Sequence, residues 1–534
     1  NDGTMIGDNI CLYGRCGADE TGKGDSVAVK LDGFRPSFFI KIPKHNDSSV
    51  TLCRSIYKKV QENITWNIKR TFDDVNEWND LSDESKNCLM MPFVAVTDLT
   101  YQYDYGKFNG EQAVEFLRLR FSSFKVMQFA KRQLQSPIYI SSLRTRSKLE
   151  TYEANIEPLL RFFHIRDIEP TGWVQFNPHN AIKVDECDRT TTTTSEYSMD
   201  WQELNPNTEA NFQCRVAPIV ISSYDIETNS HDKISFPNAE HPKDAIFQIS
   251  VTTNIFLQRE CFQRVIFCLK ETTDMSSLCN TNDTNHTNDT NDTNDTKQSN
   301  DTNDTNDTND TERSYVQYCF KTEGEMLLAF SRYIQKVDPD ILTGYNIVGF
   351  DNKYMYDRAR LCGIESEFTK LGRCIESVKL TTKMMSSSGM GDNLMYIPEA
   401  EGRVTIDPLK VLQMNLLVIG SLSSYKLDNV VSAYYRSYAQ DLDLTDCSFT
   451  TDNIDGMNVG GYIHLIQEDK NTGIEWTVDD SKFHIKSIGQ LNSSNEYVVC
   501  FEANESLDLL KQTDVLHDTQ VTKDVRYLWS LAKD

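Results

Sequence analysis

The stretch that most constrains this chain is "APIVISSYDIETNS", Ala217 to Ser230. Ile219, Val220, Ile221 and Tyr224 favour a strand over a helix, because β-branched and aromatic side chains fit a pleated surface. Asp225 and Glu227 stand two apart at the end of that run. In a strand, residues i and i+2 point to one face. The spacing therefore predicts two carboxylates projecting together from a strand end. Such a pair repels itself unless a cation lies between its members. Hard divalent cations, Mg²⁺ or Mn²⁺, suit oxygen ligands of this kind. A D-x-E motif alone is equally served by a solvated strand-to-loop junction, so the assignment depends on the rest of the chain.

At 534 residues the chain exceeds one compact core, and roughly two to four domains are expected. No apolar run is long enough to span a bilayer. The opening "NDGTMIGDNI" has neither the basic start nor the apolar core of a signal peptide, and it begins with Asn, so a fragment is expected. The formal net charge is −25, which argues against a globally basic nucleic-acid binder but not against a local basic channel. Residues 280–312 contribute −8 of it, leaving −17 elsewhere. That segment is an Asn-Asp-Thr triplet array with almost no apolar residue, expected to be a disordered insert at about 272–312 inside a domain. The 14 cysteines include no C-x2-C pair and read as reduced thiols of an intracellular protein.

After the array, "EGEMLLAFSRYIQKV" has helical apolar spacing at Met326, Leu327, Phe330, Ile334 and Val337. "DILTGYN" predicts a short strand running into a Gly/Asn turn, and "FDNKYMYDRARLCG" a helix that ends at Gly363. Asp351 falls near that helix start, a place that suits either a cap or an anionic ligand.

"YDIET" followed by "GYNIVGFDNKYMYDRA" resembles the first and second exonuclease motifs of family B DNA polymerases. "FPNAEHPKDAIFQISV", "DPDILTGYN", "LGR" at Leu371–Arg373, "GRVTIDPLKVL" and "SSYKLDNVVSAYY" occur in that family's order. Upstream, "DGFRPSFFIKIP" and "YEANIEPLLRFFHIRDIEPTGWV" resemble the N-terminal domain of delta-type polymerases, in particular those of large nucleocytoplasmic DNA viruses.

The resemblance implies an α/β chain: a ribonuclease H-like 3′→5′ exonuclease domain, residues 216–534, preceded by an α+β N-terminal domain, residues 1–215. It implies a β-rich insertion at about 440–500. It also implies two-metal hydrolysis of a phosphodiester, with Asp225 bridging two Mg²⁺ or Mn²⁺ ions, Glu227 on the ion that activates water and Asp351 on the other. Asn346 and Phe350 would contact the single-stranded 3′ end. The implied function is proofreading during DNA replication, on primer–template DNA, as the front part of a DNA-directed DNA polymerase. A sliding clamp is a possible partner, no membrane is involved, and the nucleus or a viral replication site is the expected location.

The sequence departs from the family pattern twice. The family's fourth carboxylate lies in Tyr-x3-Asp on a later helix, and no such motif is obvious. Asp524, with Gln520 four residues before it, is one candidate; a position beyond Asp534 is the other, preferred because an amide poorly replaces a hydroxyl. The palm signatures of the "SLYPS" and "YGDTD" types are absent, so these residues alone are not expected to polymerise. A catalytically inactive DNA-binding platform is the alternative reading. In the N-terminal part, "KFNGEQAVEFLRLRFSSFKVMQFAKRQLQS" predicts an amphipathic basic helix, and "DRTTTTTSEYS" a low-complexity loop.

Overall fold

The acid-bearing run folds as the strand Val220–Thr228, inside a six-stranded mixed sheet. The computed structural model describes residues 10–17, 23–42, 49–71, 116–272, 315–503 and 525–532, with short breaks in the longer spans. The triplet array and Asp524 both lie outside them. Across the sheet the strands run in the order Val316–Phe320, Gln263–Leu269, Ile246–Ile255, Val220–Thr228, Ile341–Thr343, Val404–Ile406. Val220–Thr228 pairs antiparallel with Ile246–Ile255 and parallel with Ile341–Thr343. Its burial alternates strictly: Val220, Ser222, Tyr224 and Ile226 face the core, Asp225 and Glu227 face out.

The helix Glu323–Val337 supplies the cover for one face of this sheet. Thr322 and Glu325 close its start as a capping box, which satisfies two backbone N–H groups reciprocally. Met326, Leu327, Phe330 and Ile334 pack against Tyr224, Ile249, Val251 and Phe267. The expected short strand is Ile341–Thr343, and the expected helix is Asp351–Leu361, followed by Gly363 at φ 72°.

An ionic knot joins the end of the first helix to the sheet. Asp338 terminates that helix in the left-handed region, φ 53°. Its Oδ1 accepts from Arg373 Nε at 2.8 Å and from an Arg403 guanidinium nitrogen at 2.7 Å. Asp340 accepts from Arg373 at 2.7 Å, from Arg15 at 2.5 Å and from the backbone N–H of Val220 at 2.8 Å. Burial would raise the Asp338 carboxyl, but Arg373 and Arg403 together hold it down to about 2. The "DPD", "LGR" and "GRV" motifs thus meet as one structural device. Arg15, from the strand Ile10–Cys16, ties the N-terminal part into it.

The N-terminal part holds two cores. One lies under the three-stranded sheet Phe116–Arg120, Ser37–Lys41, Thr151–Tyr152 and includes Phe38, Leu52, Leu117 and Met127. The other contains Leu31, Phe34, Phe162 and Leu204. Two expectations change here. The basic helix is in part a strand, Phe116–Arg120, and only Phe124–Leu134 is helical. "FLRLR" alternates with period two, and a strand buries Phe116, Leu117 and Leu119 where a helix would not. The threonine run is no loose loop either. Ser195–Asp200 is a strand, and fully buried Glu196 collects the Thr190 and Thr191 backbone N–H groups and the Thr191 hydroxyl.

Beyond residue 435 the chain forms a β module from Arg436 to Ala532. Six of its strands pair in a closed ring, because Val525–Ala532 joins both Arg436–Asp443 and Tyr462–Asp469. Trp529, fully buried, packs in its core beside Phe449, Ile463 and Phe483.

Removing one guanidinium from the knot leaves buried carboxylate uncompensated. Arg373→Ala is expected to cost about 3–5 kcal/mol of unfolding free energy, measured by urea denaturation. A loss below about 1 kcal/mol would show that the knot is not what fixes the sheet.

Candidate active site

Asp225 and Asp351 come together from distant parts of the chain. Asp225 projects from the outward face of its strand, while Asp351 is the first residue of the helix Asp351–Leu361. Asp351 is only 3% exposed, and one of its oxygens accepts from the backbone N–H of Ile226 at 3.2 Å. Burial, then the adjacent Asp225 carboxylate, push Asp351 up to about 7. The fold therefore holds two carboxyls against each other, and each disfavours ionisation of the other. On the core side of the strand, Tyr224 donates to Asn352 at 2.5 Å and locks the helix start onto it. Its phenol is pushed up by burial, then by Asp351 and Asp407.

Glu227 shares the outward face with Asp225. A β-bulge between Glu227 and Thr228 lies at this end of the strand, and bulges re-aim side chains beside active sites. Among the described residues, the trio with all ligand atoms within 4.8 Å of one another is a different one, His231, His241 and Asp244. The donor chemistry fits a hard cation: three carboxylates, one held against its own ionisation.

The turn before Asp351 carries Asn346 and Phe350. Asn346 sits in the left-handed region, φ 65°. Its backbone N–H donates to Asp407 at 3.0 Å, and that of Val348 donates to the same carboxylate at 3.2 Å. Two glycines keep this turn close, Gly344 because backbone stands in the way of a side chain and Gly349 because the Asn346 side chain would have to shift. A Cβ at Gly344 would stand 2.4 Å from the Tyr224 carbonyl oxygen, and one at Gly349 would stand 2.3 Å from the Asn346 side-chain oxygen. Phe350 is half-buried, with Tyr354 at 5.2 Å on one side and Phe236 at 5.5 Å on the other. Phe236 is 78% exposed. Phe350 is thus both a core contact and the inner member of an exposed aromatic pair.

Asp407 and Phe236 were not singled out by sequence reasoning. Asp407 lies within "GRVTIDPLKVL", but nothing local says that its carboxylate reaches back to the Asn346 turn. Asp524 lies outside the described residues, and the chain after it, Val525–Ala532, is a strand of the β module rather than a helix.

Comparisons with known proteins place the chain among its relatives. Residues 149–430 match the family model described as DNA polymerase family B, exonuclease domain. The match thus covers the six-stranded sheet and ends before the β module. The chain is 29% identical to a DNA polymerase of Acanthamoeba polyphaga mimivirus, over 65% of this chain and 16% of the relative. It is 28% identical to a DNA polymerase of Pyramimonas orientalis virus, over 83% of this chain and 42% of the relative. It is 25% identical to the DNA polymerase delta catalytic subunit of Dictyostelium discoideum, over 79% of this chain and 32% of the relative. The chain thus spans less than half the length of each of these relatives. With more than half of its own length matched, it belongs to the exonuclease-domain family of the family B DNA polymerases.

Proposed function

We propose that this chain is the proofreading part of a DNA polymerase, hydrolysing DNA from a single-stranded 3′ end. The observation that carries the reading is the convergence of Asp225 and Asp351, an electrostatically unfavourable pair that a divalent cation relieves. The strand order and directions of the six-stranded sheet support a ribonuclease H-like reading of this domain. The N-terminal boundary near residue 215 is read from the change from the Leu31–Phe162 core to the sheet.

Asp225, Glu227 and Asp351 would hold two Mg²⁺ or Mn²⁺ ions, which when bound supply an activated water and neutralise charge at the leaving oxygen. Phe350 and Phe236 offer aromatic faces for terminal bases, which suits sequence-tolerant single-strand binding. Asn346, whose backbone N–H is held by Asp407, lies in the same turn as Phe350. Asp407 acts as a positioning residue in this reading, since its carboxylate accepts from the backbone N–H groups of the turn. Primer–template DNA is the substrate in this reading, and a sliding clamp belongs to the longer polymerase.

Asp225→Ala should reduce Mg²⁺-dependent release of mononucleotides from a single-stranded 3′ end by about 1,000-fold or more, the scale seen when one member of a catalytic unit is lost. Binding of the same DNA should persist. Unchanged cleavage would remove Asp225 from the site, and no cleavage by the unaltered chain would favour a binding platform.

A second outcome concerns pH. Folding raises Asp351 from its ordinary value of 3.8 to about 7. As pH rises from about 4, the unfolded chain loses this proton first, so the metal-free fold loses stability until about pH 7. In chelator, Asp351→Asn should therefore stabilise the fold at pH 8 by more than about 1 kcal/mol, with little gain at pH 4. Mg²⁺ should remove most of that advantage. An equal effect at both pH values, followed by thermal unfolding, would refute the coupling.

A further inference from the structure

The segment between Thr228 and Ile246 brings two imidazoles and a carboxylate to one point. His231 and His241 each place Nδ1 3.0 Å from the same atom, Oδ1 of Asp244. Their rings stack with centroids 3.9 Å apart and planes inclined by 30°. The ligand atoms of all three residues lie within 4.8 Å of one another. Asp244 is fully buried, whereas His231 is exposed and His241 half-buried. Asp244 also accepts from the backbone N–H groups of Asn238 at 2.9 Å and His231 at 2.7 Å.

We propose that His231, His241 and Asp244 form a binding site for a divalent cation of the zinc class, with solvent completing its coordination. Two nitrogens and one carboxylate oxygen are the donors such a cation selects, whereas Mg²⁺ prefers oxygen alone. Metal–ligand bonds of about 2.0–2.2 Å fit donor atoms that already stand near van der Waals separation. Without a cation, both imidazoles must direct a proton at one oxygen. A cation satisfies all three groups at once and leaves the open side to water.

The site fixes a segment with a visible role. Tyr354 donates to the Asp244 carbonyl at 2.7 Å, and Arg358 donates to the carbonyls of Ala239 and His241 at 3.1 and 2.8 Å. Both come from the helix that begins at Asp351. One end of the segment is therefore anchored, and the other carries Ile234, 92% exposed, and Phe236. His231 is the link from the anchored end to that tip. A cation there holds Phe236 against Phe350 without itself touching DNA. The cation site rests on the His–His–Asp geometry alone and does not depend on the exonuclease reading.

The test uses Co²⁺ as a spectroscopic stand-in for Zn²⁺ on the 534-residue chain carrying Asp225→Asn and Asp351→Asn, which weakens competition from the acid pair. One equivalent of Co²⁺ should give the intense visible bands of an imidazole-bearing site of low coordination number, and Zn²⁺ should bleach them. His231→Ala and His241→Ala should each weaken binding by more than the roughly 10- to 100-fold typical of losing an outer partner. Absence of the bands, or bands unchanged in the double His variant, would overturn the proposal. Should those variants fail to fold by circular dichroism, amide exchange decides on the unaltered chain. Zn²⁺ must then slow exchange across residues 229–244, and no slowing overturns the site.

Discussion

The structure depends on where the strand Val220–Thr228 begins, and Asp340 sets that. Its carboxylate accepts the Val220 N–H at 2.8 Å, while its own N–H donates to the Val220 carbonyl at 2.8 Å. Its carbonyl accepts from Val404 at 2.8 Å, so three adjacent strands start from one residue. A strand slipped by one residue exchanges its two faces. Such a slip here would bury Asp225 and Glu227 and expose Tyr224 and Ile226. Arg15, Arg373 and Arg403 keep Asp338 and Asp340 in place, so the buried charges fix register. That use of ion pairs, specificity more than net stability, is the best-attested one.

Register alone does not make a site, because Asp351 lies far along the chain. Gly344 lets the turn approach within contact of the Tyr224 carbonyl, and Asp407 gathers the backbone N–H groups of Asn346 and Val348. The Tyr224 hydroxyl then fastens Asn352, and with it the helix start. These contacts are made by residues on the core side of the strand or behind the turn. They hold Asp351 beside Asp225 against repulsion, the arrangement on which the proposed cation site rests. The site is preorganised on a strand and a helix, which position ligands more tightly than loops do.

Much of this was legible from the residues. The period-two burial of Val220–Ile226 and the spacing of Met326, Leu327, Phe330 and Ile334 were visible as patterns, because each is local. Asp225, Glu227 and Asp351 were chosen from motifs, and the fold brings Asp225 against Asp351 and sets Glu227 on the same outward strand face as Asp225. What was not legible was mostly non-local. Arg373 and Arg403 sat in recognisable motifs, yet their shared partner Asp338 lies some 35 and 65 positions away. The strand Phe116–Arg120 was hidden by a neighbouring helix of similar composition. Thr190 and Thr191 read as low complexity because the organiser, Glu196, is an acid whose burial no pattern announces. The pairing of Val525–Ala532 with both Arg436–Asp443 and Tyr462–Asp469 closes a ring, and closure leaves no signature within a strand.

The acid pair and the His–His–Asp trio are joined by one helix, Asp351–Leu361. Asp351 and Tyr354 lie on the same helix, one turn apart, and Arg358 follows one turn later. Arg358 is itself buried and paired with Glu323, the first residue of the helix that ends at Asp338. The chain therefore runs in a mechanical circuit: knot, helix, Glu323–Arg358 pair, loop carbonyls, Asp244. A ligand at either end works against the same frame, but the donors differ. Oxygen-only ligands at the strand end favour a cation that keeps its water, while imidazoles in the loop favour one that gives it up. In the proposals above, the two positions would therefore take cations of different class, one suited to exchange with substrate and the other to hold the aromatic tip in place. Tyr354 and Arg358 hold the loop through its backbone carbonyls, so these contacts do not depend on the identity of the loop's side chains.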